Sequence, residues 1–432
     1  MERSRHDPIT VRLGRFFAEV GPGVVTGAAD DDPSGISTYS VVGASMGLGQ
    51  LWTVLLTFPL MASVQAMCAR LALVTGEGLA ATIRRHSSRR LLWFACVLLV
   101  VANVVNIGAD LSGMAESLEM VTGVREWIWM PLLAVGIVLA LVFWSYRKLA
   151  RTFKWLTLAL FAYVFAAFLS HPSWPVVLKA TFVPEFKADP VYLQALVAIL
   201  GTTITPYMFF WQAAQEVEEE RAHGHRTLAQ RRGATLDELK AAHKDVLLGM
   251  GWAGVAMYFI ILTAATNLHG PGKPPIETAR QAAEALRPIA GDAAYLLFAL
   301  GLVGTGILAI PVLAGSAAYA ISEAMHWRGS LNDRPRVGFK YYVVVVLSVG
   351  VGLALDLFRI DAVKALFYAA VLNGILAPPL VAIVTWLTSQ KEVMGEHVNP
   401  PYLRRLGWTT AGLMFAAFLA MAASMIWDGG KP

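Results

Sequence analysis

The sequence is poor in charged residues and in cysteine. Of its 432 residues 15% are charged, against about a quarter in a soluble domain, while 56% are hydrophobic and the mean hydropathy is +0.56. The two cysteines, Cys68 and Cys96, both lie in apolar stretches, where a disulfide framework is not expected. No small-residue cleavage site precedes the first apolar block, so we expect no signal peptide. This composition is typical of a membrane protein.

Motifs for enzymatic chemistry are also scarce. The sequence has no Walker-type Gly-x-x-x-x-Gly-Lys-Ser/Thr loop and no His-x-x-x-His pair. Residues 43–47 match the Gly-x-Ser-x-Gly pattern, but they close an apolar helix instead of following a strand. We therefore expect neither an enzyme nor an ATP-driven pump, and we predict no cofactor.

Long apolar blocks dominate the chain, and each can cross a hydrocarbon core that needs ~20 residues of helix. They predict an all-α membrane protein with eleven spans. The spans are 17–46, 50–75, 91–120, 127–145, 152–170, 190–216, 245–267, 292–324, 339–358, 361–389 and 406–427.

The distribution of Lys and Arg predicts the orientation of these spans. If the N-terminus, 1–16, is cytoplasmic, 25 of the 35 basic residues lie in cytoplasmic segments and nine lie outside. Such an excess follows the positive-inside rule, so the net charge of +5 does not indicate a nucleic-acid partner. The charged stretch 216–245 is predicted as a cytoplasmic connector with a short surface helix. Short loops favour a bacterial inner membrane.

Two apolar segments are interrupted at their centres, the first by residues 30–35 (DDDPSG) and the sixth by residues 202–207 (TTITPY). Proline removes a backbone donor and disfavours helix before it, so each break frees polar backbone groups at membrane depth. Such groups are tolerated where they line a cavity or meet a ligand. Because the breaks lie five helices apart, the halves 17–170 and 190–389 are predicted to be inverted repeats, with 406–427 as an additional helix.

Asp32 is the strongest candidate for a cation ligand. An aspartate at the membrane centre costs roughly 3 kcal/mol unless it is paired, protonated or bound to a cation. Asp32 precedes the proline of the first break, where its carboxylate and free carbonyls such as that of Ala29 would converge on one ion. The alternative is a structural role, in which Asp32 caps the half-helix that begins near Ser34. We place Asp31 in the adjoining vestibule.

The second break offers hydroxyl and carbonyl oxygens and neither sulfur nor imidazole. The oxygen-bearing side chains are Thr202, Thr203, Thr205 and Tyr207. Oxygen ligands favour hard cations such as Mg²⁺, Ca²⁺ or Mn²⁺ over soft transition metals. The sequence therefore predicts a divalent-cation site between the two breaks.

Other polar residues inside the spans are candidates for the path to this site. Asp110 in the third span can act as a second carboxylate, as a proton carrier or as a partner for a hydroxyl. Gln212 and Glu216, four residues apart, share a helix face below the second break and can line an exit path. Asn373 in the tenth span is a further pore-facing candidate.

These motifs resemble those of the natural resistance-associated macrophage protein (NRAMP) family of divalent metal transporters. The likeness runs from Gly21-Pro22-Gly23 through the first break to residues 390–395 (QKEVMG). The family's first-helix motif, Asp-Pro-Gly-Asn, reads Asp-Pro-Ser-Gly at 32–35, and its sixth-helix motif, Met-Pro-His, reads Thr-Pro-Tyr at 205–207. The resemblance implies a LeuT-like fold with a central metal site on both breaks, and Asp32 carries over directly.

Two departures from the family motifs concern the choice of ion. The family methionine is a soft ligand that favours Mn²⁺ and Fe²⁺, and Thr205 replaces it; Gly35 replaces the family asparagine. Fewer and smaller side chains imply a wider cavity, which suits Mg²⁺ because this ion tends to keep several waters. The combination resembles the NRAMP-related magnesium transporters, a branch that carries Mg²⁺ and Mn²⁺.

The family's titratable positions are largely replaced. Tyr207 and Gln212 stand where histidines are expected, Asn103 and Gly113 where glutamates are expected, and only Asp110 is retained. A proton route needs groups that exchange protons near neutral pH. We therefore expect uniport of Mg²⁺ and Mn²⁺ by alternating access, in a protein that functions as a monomer.

Three other functions remain open at this point. The first is a proton-coupled Mn²⁺/Fe²⁺ importer of the ordinary family type, and the second is a metal sensor without transport. An amino-acid transporter on the same fold fits poorly, because a carboxylate at the first break would repel the carboxylate of the substrate.

Overall fold

The computed structural model consists of packed helices. It describes residues 21–144, 160–187, 189–272, 276, 278–355 and 361–428, and within these ranges no strand occurs. The predicted cytoplasmic N-terminus, 1–16, lies outside the described residues.

The helices are numbered in chain order, and short 3₁₀ turns join some of them. They are α1 Pro22–Asp30, α2 Pro33–Met46, α3 Thr53–Thr75, α4 Leu79–His86, α5 Arg89–Thr122, α6 Glu126–Phe143, α7 Phe161–Leu169, α8 Trp174–Phe182, α9 Pro190–Thr203, α10 Pro206–Ala222, α11 Leu228–Arg231, α12 Leu236–Leu268, α13 Ala279–Ala283, α14 Arg287–Ala290, α15 Ala294–Ala324, α16 Phe339–Leu355, α17 Ala362–Thr388, α18 Lys391–Met394 and α19 Pro401–Asp428.

Eight spans within the described residues are long and apolar enough to cross a membrane. They are α3, α5, α6, the α9–α10 pair, α12, α15, α17 and α19. The other three predicted spans coincide with the α1–α2 pair, with α7, which follows the undescribed residues 145–159, and with the shorter apolar helix α16. Each predicted apolar block therefore contains helix.

The helices around the charged stretch 216–245 extend further than the hydropathy predicts. Helix α10 continues to Ala222 and α12 already begins at Leu236, so the connector is limited to 223–235 with the one-turn helix α11. A capping box starts α12, because Thr235 Oγ1 accepts the Glu238 N–H and the Glu238 carboxylate accepts the Thr235 N–H. The hydropathy of the sequence predicts which residues lie in the apolar layer of the membrane. It does not predict where the helix ends, because a capped helix can continue beyond that layer.

Both predicted helix breaks are present. Helix α1 ends at Asp30 and α2 begins at Pro33, while α9 ends at Thr203 and α10 begins at Pro206. Each proline occupies the first helical position, where no amide donor is needed, and the residue before it is extended. The breaks are confirmed, whereas the exact limits of the two repeats stay a prediction.

Glycines let the half-helices approach their neighbours backbone to backbone. A β-carbon on Gly27 of α1 would overlap the Gly249 carbonyl of α12, and one on Gly201 of α9 would overlap the Ala370 carbonyl of α17. Small residues permit this close packing between membrane helices. Consequently α1 lies directly on α12 and α9 directly on α17, and these contacts position both breaks.

Candidate functional site

The two breaks face each other across a single site. The Tyr207 hydroxyl, in the first turn of α10, donates to the Ala29 carbonyl at 3.0 Å and lies 3.5 Å from Asp32 Oδ2. A β-carbon on Gly35 of α2 would lie 3.4 Å from Thr202 Oγ1 of α9. The structure therefore brings together five of the six residues that the sequence predicts around the ion.

Asp32 performs the capping role that the sequence leaves open. Its Oδ1 accepts the Gly35 N–H at 2.7 Å and so caps the N-terminus of α2. The positive end of the helix dipole also stabilises the carboxylate there. Because Oδ1 is engaged in the cap, Oδ2 is the oxygen that can turn toward a cation. The cap is observed, and the ligand role stays a prediction.

Thr205, the sixth predicted residue, directly precedes α10 but does not cap it. Its side chain makes no capping hydrogen bond. Thr205 Oγ1 and Thr202 Oγ1 are buried without a hydrogen-bond partner among the described residues. Buried polar groups are nearly always hydrogen-bonded, so these two hydroxyls of the second break mark positions that a ligand can satisfy.

Three consecutive aspartates are buried at the first break. Asp30, Asp31 and Asp32 are each at most 2% exposed. Within the described residues, neither Asp30 oxygen has a hydrogen-bond partner, nor does Asp31 Oδ1. Asp31, predicted in the vestibule, lies at the break itself, where it follows the last turn of α1. Buried carboxylates without partners are costly unless a proton or a cation neutralises them.

Helix α5 carries a buried carboxylate, Asp110, and two asparagines, Asn103 and Asn106, whose amides bond to neighbouring helices. Both oxygens of Asp110 are buried and lack a hydrogen-bond partner in the described part of the chain. Asn106 and Asn373 instead exchange two side-chain hydrogen bonds, of 2.9 and 3.1 Å, which join α5 to α17. Asn103 donates to the Leu313 carbonyl of α15 at 2.7 Å. In this structure the Asn373 amide therefore links two helices.

Gln212 and Glu216 lie on one helix face, as their spacing predicts. Gln212 Nε2 donates to Glu216 Oε1 at 2.8 Å, and Thr26 Oγ1 of α1 donates to Gln212 Oε1 at 2.6 Å. These bonds connect α1 to α10 on the α1 side of the breaks. The structure thus ties both predicted residues to each other and to α1, and their role in an exit path stays a prediction.

Sequence reasoning missed Asp245, a residue of α12 that binds the start of α1. Its carboxylate accepts the N–H groups of Gly21 and Gly23 at the start of α1. Asp245 stands where the charged connector meets an apolar block, so in the sequence it is indistinguishable from an ordinary boundary charge. Only the packing of α1 against α12 reveals the contact.

The ligands available at the breaks are oxygens. No group of three His, Cys, Asp or Glu side chains that could hold a metal ion occurs among the described residues. A cation at the breaks would therefore be bound by few carboxylates, with backbone carbonyls, hydroxyls and water completing its shell. Mg²⁺ is commonly bound through one or two carboxylates and several waters.

Comparisons with known proteins agree with this geometry. The sequence profile of the family described as natural resistance-associated macrophage protein-like matches residues 23–424. A divalent metal cation transporter MntH of Klebsiella pneumoniae (strain 342) is 26% identical over 423 residues, which cover 96% of both chains.

Solved structures show the same arrangement of helices. The crystal structure of a manganese transporter from Eremococcus coleocola superposes with a TM-score of 0.73 at 18% identity, covering 99% of this chain and 91% of that one. The nucleobase-cation-symport transporter Mhp1 superposes with a TM-score of 0.58 at 15% identity, covering 94% and 92%. These likenesses show a LeuT-like fold.

Proposed function

Because the chain belongs to the natural resistance-associated macrophage protein family, we propose that it moves Mg²⁺ and Mn²⁺ across the membrane by alternating access and without proton coupling. The protein is a divalent metal cation transporter of this family and not an enzyme. The single observation that carries the choice of ion is Thr205, whose unpaired hydroxyl stands where the family motif has a methionine.

The ligand set supports a hard, partly hydrated ion. One oxygen of Asp32 remains after capping, and the nearby Ala29 carbonyl, Thr202 hydroxyl and Thr205 hydroxyl add neutral oxygens. A thioether ligand would favour softer metals, and the break sequences 30–35 and 202–207 contain no sulfur. Mg²⁺ dehydrates reluctantly and keeps several of its waters. A site can therefore bind it with one or two carboxylates and with neutral oxygens that hydrogen-bond to those waters.

The burial of the site supports a mechanism with alternating access. The residues at both breaks are buried, so an ion bound there meets neither aqueous phase in this conformation. Transport then requires half-helices to move away from the site on one side at a time, as in other carriers with discontinuous helices. The hinges are the extended residues at each break.

Two positions of the second interrupted segment, Tyr207 and Gln212, support uniport. The Tyr207 hydroxyl is bonded to a carbonyl and the Gln212 amide to Thr26 and Glu216, and neither residue is an imidazole that could exchange protons near neutral pH. No histidine occurs in either interrupted segment, 22–46 or 190–222. In the proposed uniport, the ion itself neutralises the buried carboxylates at the first break, and each ion carries its two charges across without a compensating proton. We further propose a monomer in the bacterial inner membrane, with the N-terminus in the cytoplasm.

Metal uptake into proteoliposomes, with a pH dye inside, tests this function. We expect Mg²⁺ to compete with Mn²⁺ at comparable concentrations, and uptake to respond to membrane potential without a change of internal pH. Absence of competition by Mg²⁺ would refute the choice of ion. Internal acidification that follows metal entry would instead establish a proton-coupled importer, and binding without flux would indicate a sensor.

Gly35→Asn restores the asparagine of the family motif at the first break and so tests whether residue 35 affects ion binding. A β-carbon at this position would make ordinary contacts with Thr202 and Tyr39, both at 3.4 Å. An added amide oxygen near Asp32 should tighten Mn²⁺ binding about tenfold, which corresponds to ~1.4 kcal/mol. Isothermal titration checks this value, with Gly35→Ala as the control that adds volume without a ligand. Equal affinity in the two variants would exclude residue 35 from the ion's surroundings.

A further inference from the structure

We propose that Asp245 is a positioning residue for transport: its carboxylate holds the half-helix α1 closed against the ion site, and its bonds to α1 must break whenever the site opens on that side. The inference deepens the proposed function, since it concerns release from the same site. It rests on contacts that are independent of which ion is carried.

The first observation is the way in which Asp245 binds the end of α1. Its Oδ1 accepts the Gly21 N–H at 3.2 Å and its Oδ2 accepts the Gly23 N–H at 2.6 Å. The first amides of a helix have no partner within the helix, and the dipole favours an anion beside them. Gly21 itself offers no side-chain cap. Asp245 thus supplies from α12 the cap that α1 lacks.

The second observation is that this contact depends on the absence of side chains. A β-carbon on Gly21 would lie 2.5 Å from Asp245 Oδ2, and one on Gly23 would lie 2.6 Å from the Val246 backbone nitrogen. One turn further along, Gly27 packs on the Gly249 backbone. Helix α1 therefore rests on α12 along one edge, with the carboxylate at its end.

The third observation is the position of α1 between the ion site and one side of the membrane. Helix α1 is nine residues long and ends at the aspartates of the first break. It carries the Ala29 carbonyl that accepts from Tyr207, and Thr26, which bonds to Gln212. A short helix with an extended residue at one end can rotate as a unit. Within the described residues, polar attachments to Tyr207, Gln212 and Asp245 hold α1 in the position that closes the site.

Among these attachments the one to Asp245 is farthest along α1 from the first break, because it involves Gly21 and Gly23. Asp245 binds the start of α1, the end of this helix that lies away from the break. The bonds of Asp245 are charge-assisted, and such bonds are stronger than neutral ones. Weakening them should favour the open position of α1 without altering any side chain at the two breaks.

Asp245→Asn, compared with Asp237→Asn, tests the proposal by hydrogen exchange and metal binding. Asparagine keeps the shape but presents an NH₂ group to one of the two amide donors. Asp237 lies on the same helix, is exposed, and pairs with Lys240 at 3.5 Å, so its variant makes the same change of charge away from α1. Both substitutions are made in the full-length protein.

We expect the Asp245 variant to raise amide exchange in residues 21–31 about tenfold or more, with α17 and α9 unchanged. Mn²⁺ affinity should fall about tenfold, because a smaller fraction of molecules holds the Ala29 carbonyl at the site. The Asp237 variant should match the wild type in both measurements. Asp245→Ser, a shorter acceptor, serves as the second variant if the asparagine variant fails to fold.

Two results would overturn the proposal. Unchanged exchange in residues 21–31 would show that Asp245 does not hold α1. A uniform rise over all helices, with a lower melting temperature, would show a general structural role. If the wild type binds neither Mg²⁺ nor Mn²⁺, the proposed function fails, whereas the exchange measurement still decides the role of Asp245.

Discussion

Asp32→Asn is expected to reduce metal uptake and metal affinity at least about 100-fold while the protein stays folded. Loss of groups that only support a metal ligand costs 10- to 100-fold, so loss of the charged ligand itself should cost no less. Asparagine is as good an N-cap as aspartate, so it can still accept the Gly35 N–H and preserve the start of α2. The substitution therefore separates the charge of Asp32 from its capping role.

Asp189→Asn is the matched control for this experiment. Asp189 also precedes a proline, also caps a helix, and accepts the N–H of the residue three positions on, Tyr192, at 2.9 Å. It lies at the start of α9, away from the breaks. Uptake in proteoliposomes and Mn²⁺ titration in detergent should show wild-type values for Asp189→Asn. Substantial uptake by Asp32→Asn would remove Asp32 from the ion site.

Thr205→Met is expected to shift the preference from Mg²⁺ toward Mn²⁺ by about tenfold, or ~1.4 kcal/mol of differential binding. The substitution restores the family's thioether at the second break, and a thioether binds Mn²⁺ better than it binds a hard alkaline-earth ion. Because Thr205 makes no capping hydrogen bond, its replacement does not uncap α10. The effect should therefore appear in selectivity and not in the fold.

Thr205→Val is the companion variant, since it removes the hydroxyl and adds no sulfur. We expect it to weaken Mg²⁺ and Mn²⁺ uptake to a similar degree and to leave their ratio unchanged. Competition assays over a range of Mg²⁺ concentrations, at fixed Mn²⁺, measure this ratio in both variants. If Thr205→Met leaves the ratio at the wild-type value, ligand softness at residue 205 does not control selectivity.

The helix limits show where sequence reasoning fails for a physical reason. The connector predicted at 216–245 is mostly helix, because capping and side-chain pairing extend α10 and α12 beyond the apolar layer. Hydropathy responds only to the apolar layer. Asn373 shows a related limit: a polar residue inside an apolar span is predicted as pore-facing, whereas its amide bonds to Asn106, which is 267 positions away in the sequence and comes near only when the helices pack.

The sequence by itself determined the broken helices and the chemistry of their residues. Proline, the residue before it and a carboxylate in an apolar segment are local signals, so the breaks at Asp32 and Thr205 could be predicted without coordinates. Only the tertiary structure decided which polar groups form hydrogen bonds. Tyr207 and Ala29 are 178 positions apart in the sequence, and Asp245 and Gly23 are 222 positions apart. Such contacts depend on how closely the helices pack. Glycines on facing helix surfaces set that distance, and no local sequence pattern shows which glycines will face each other.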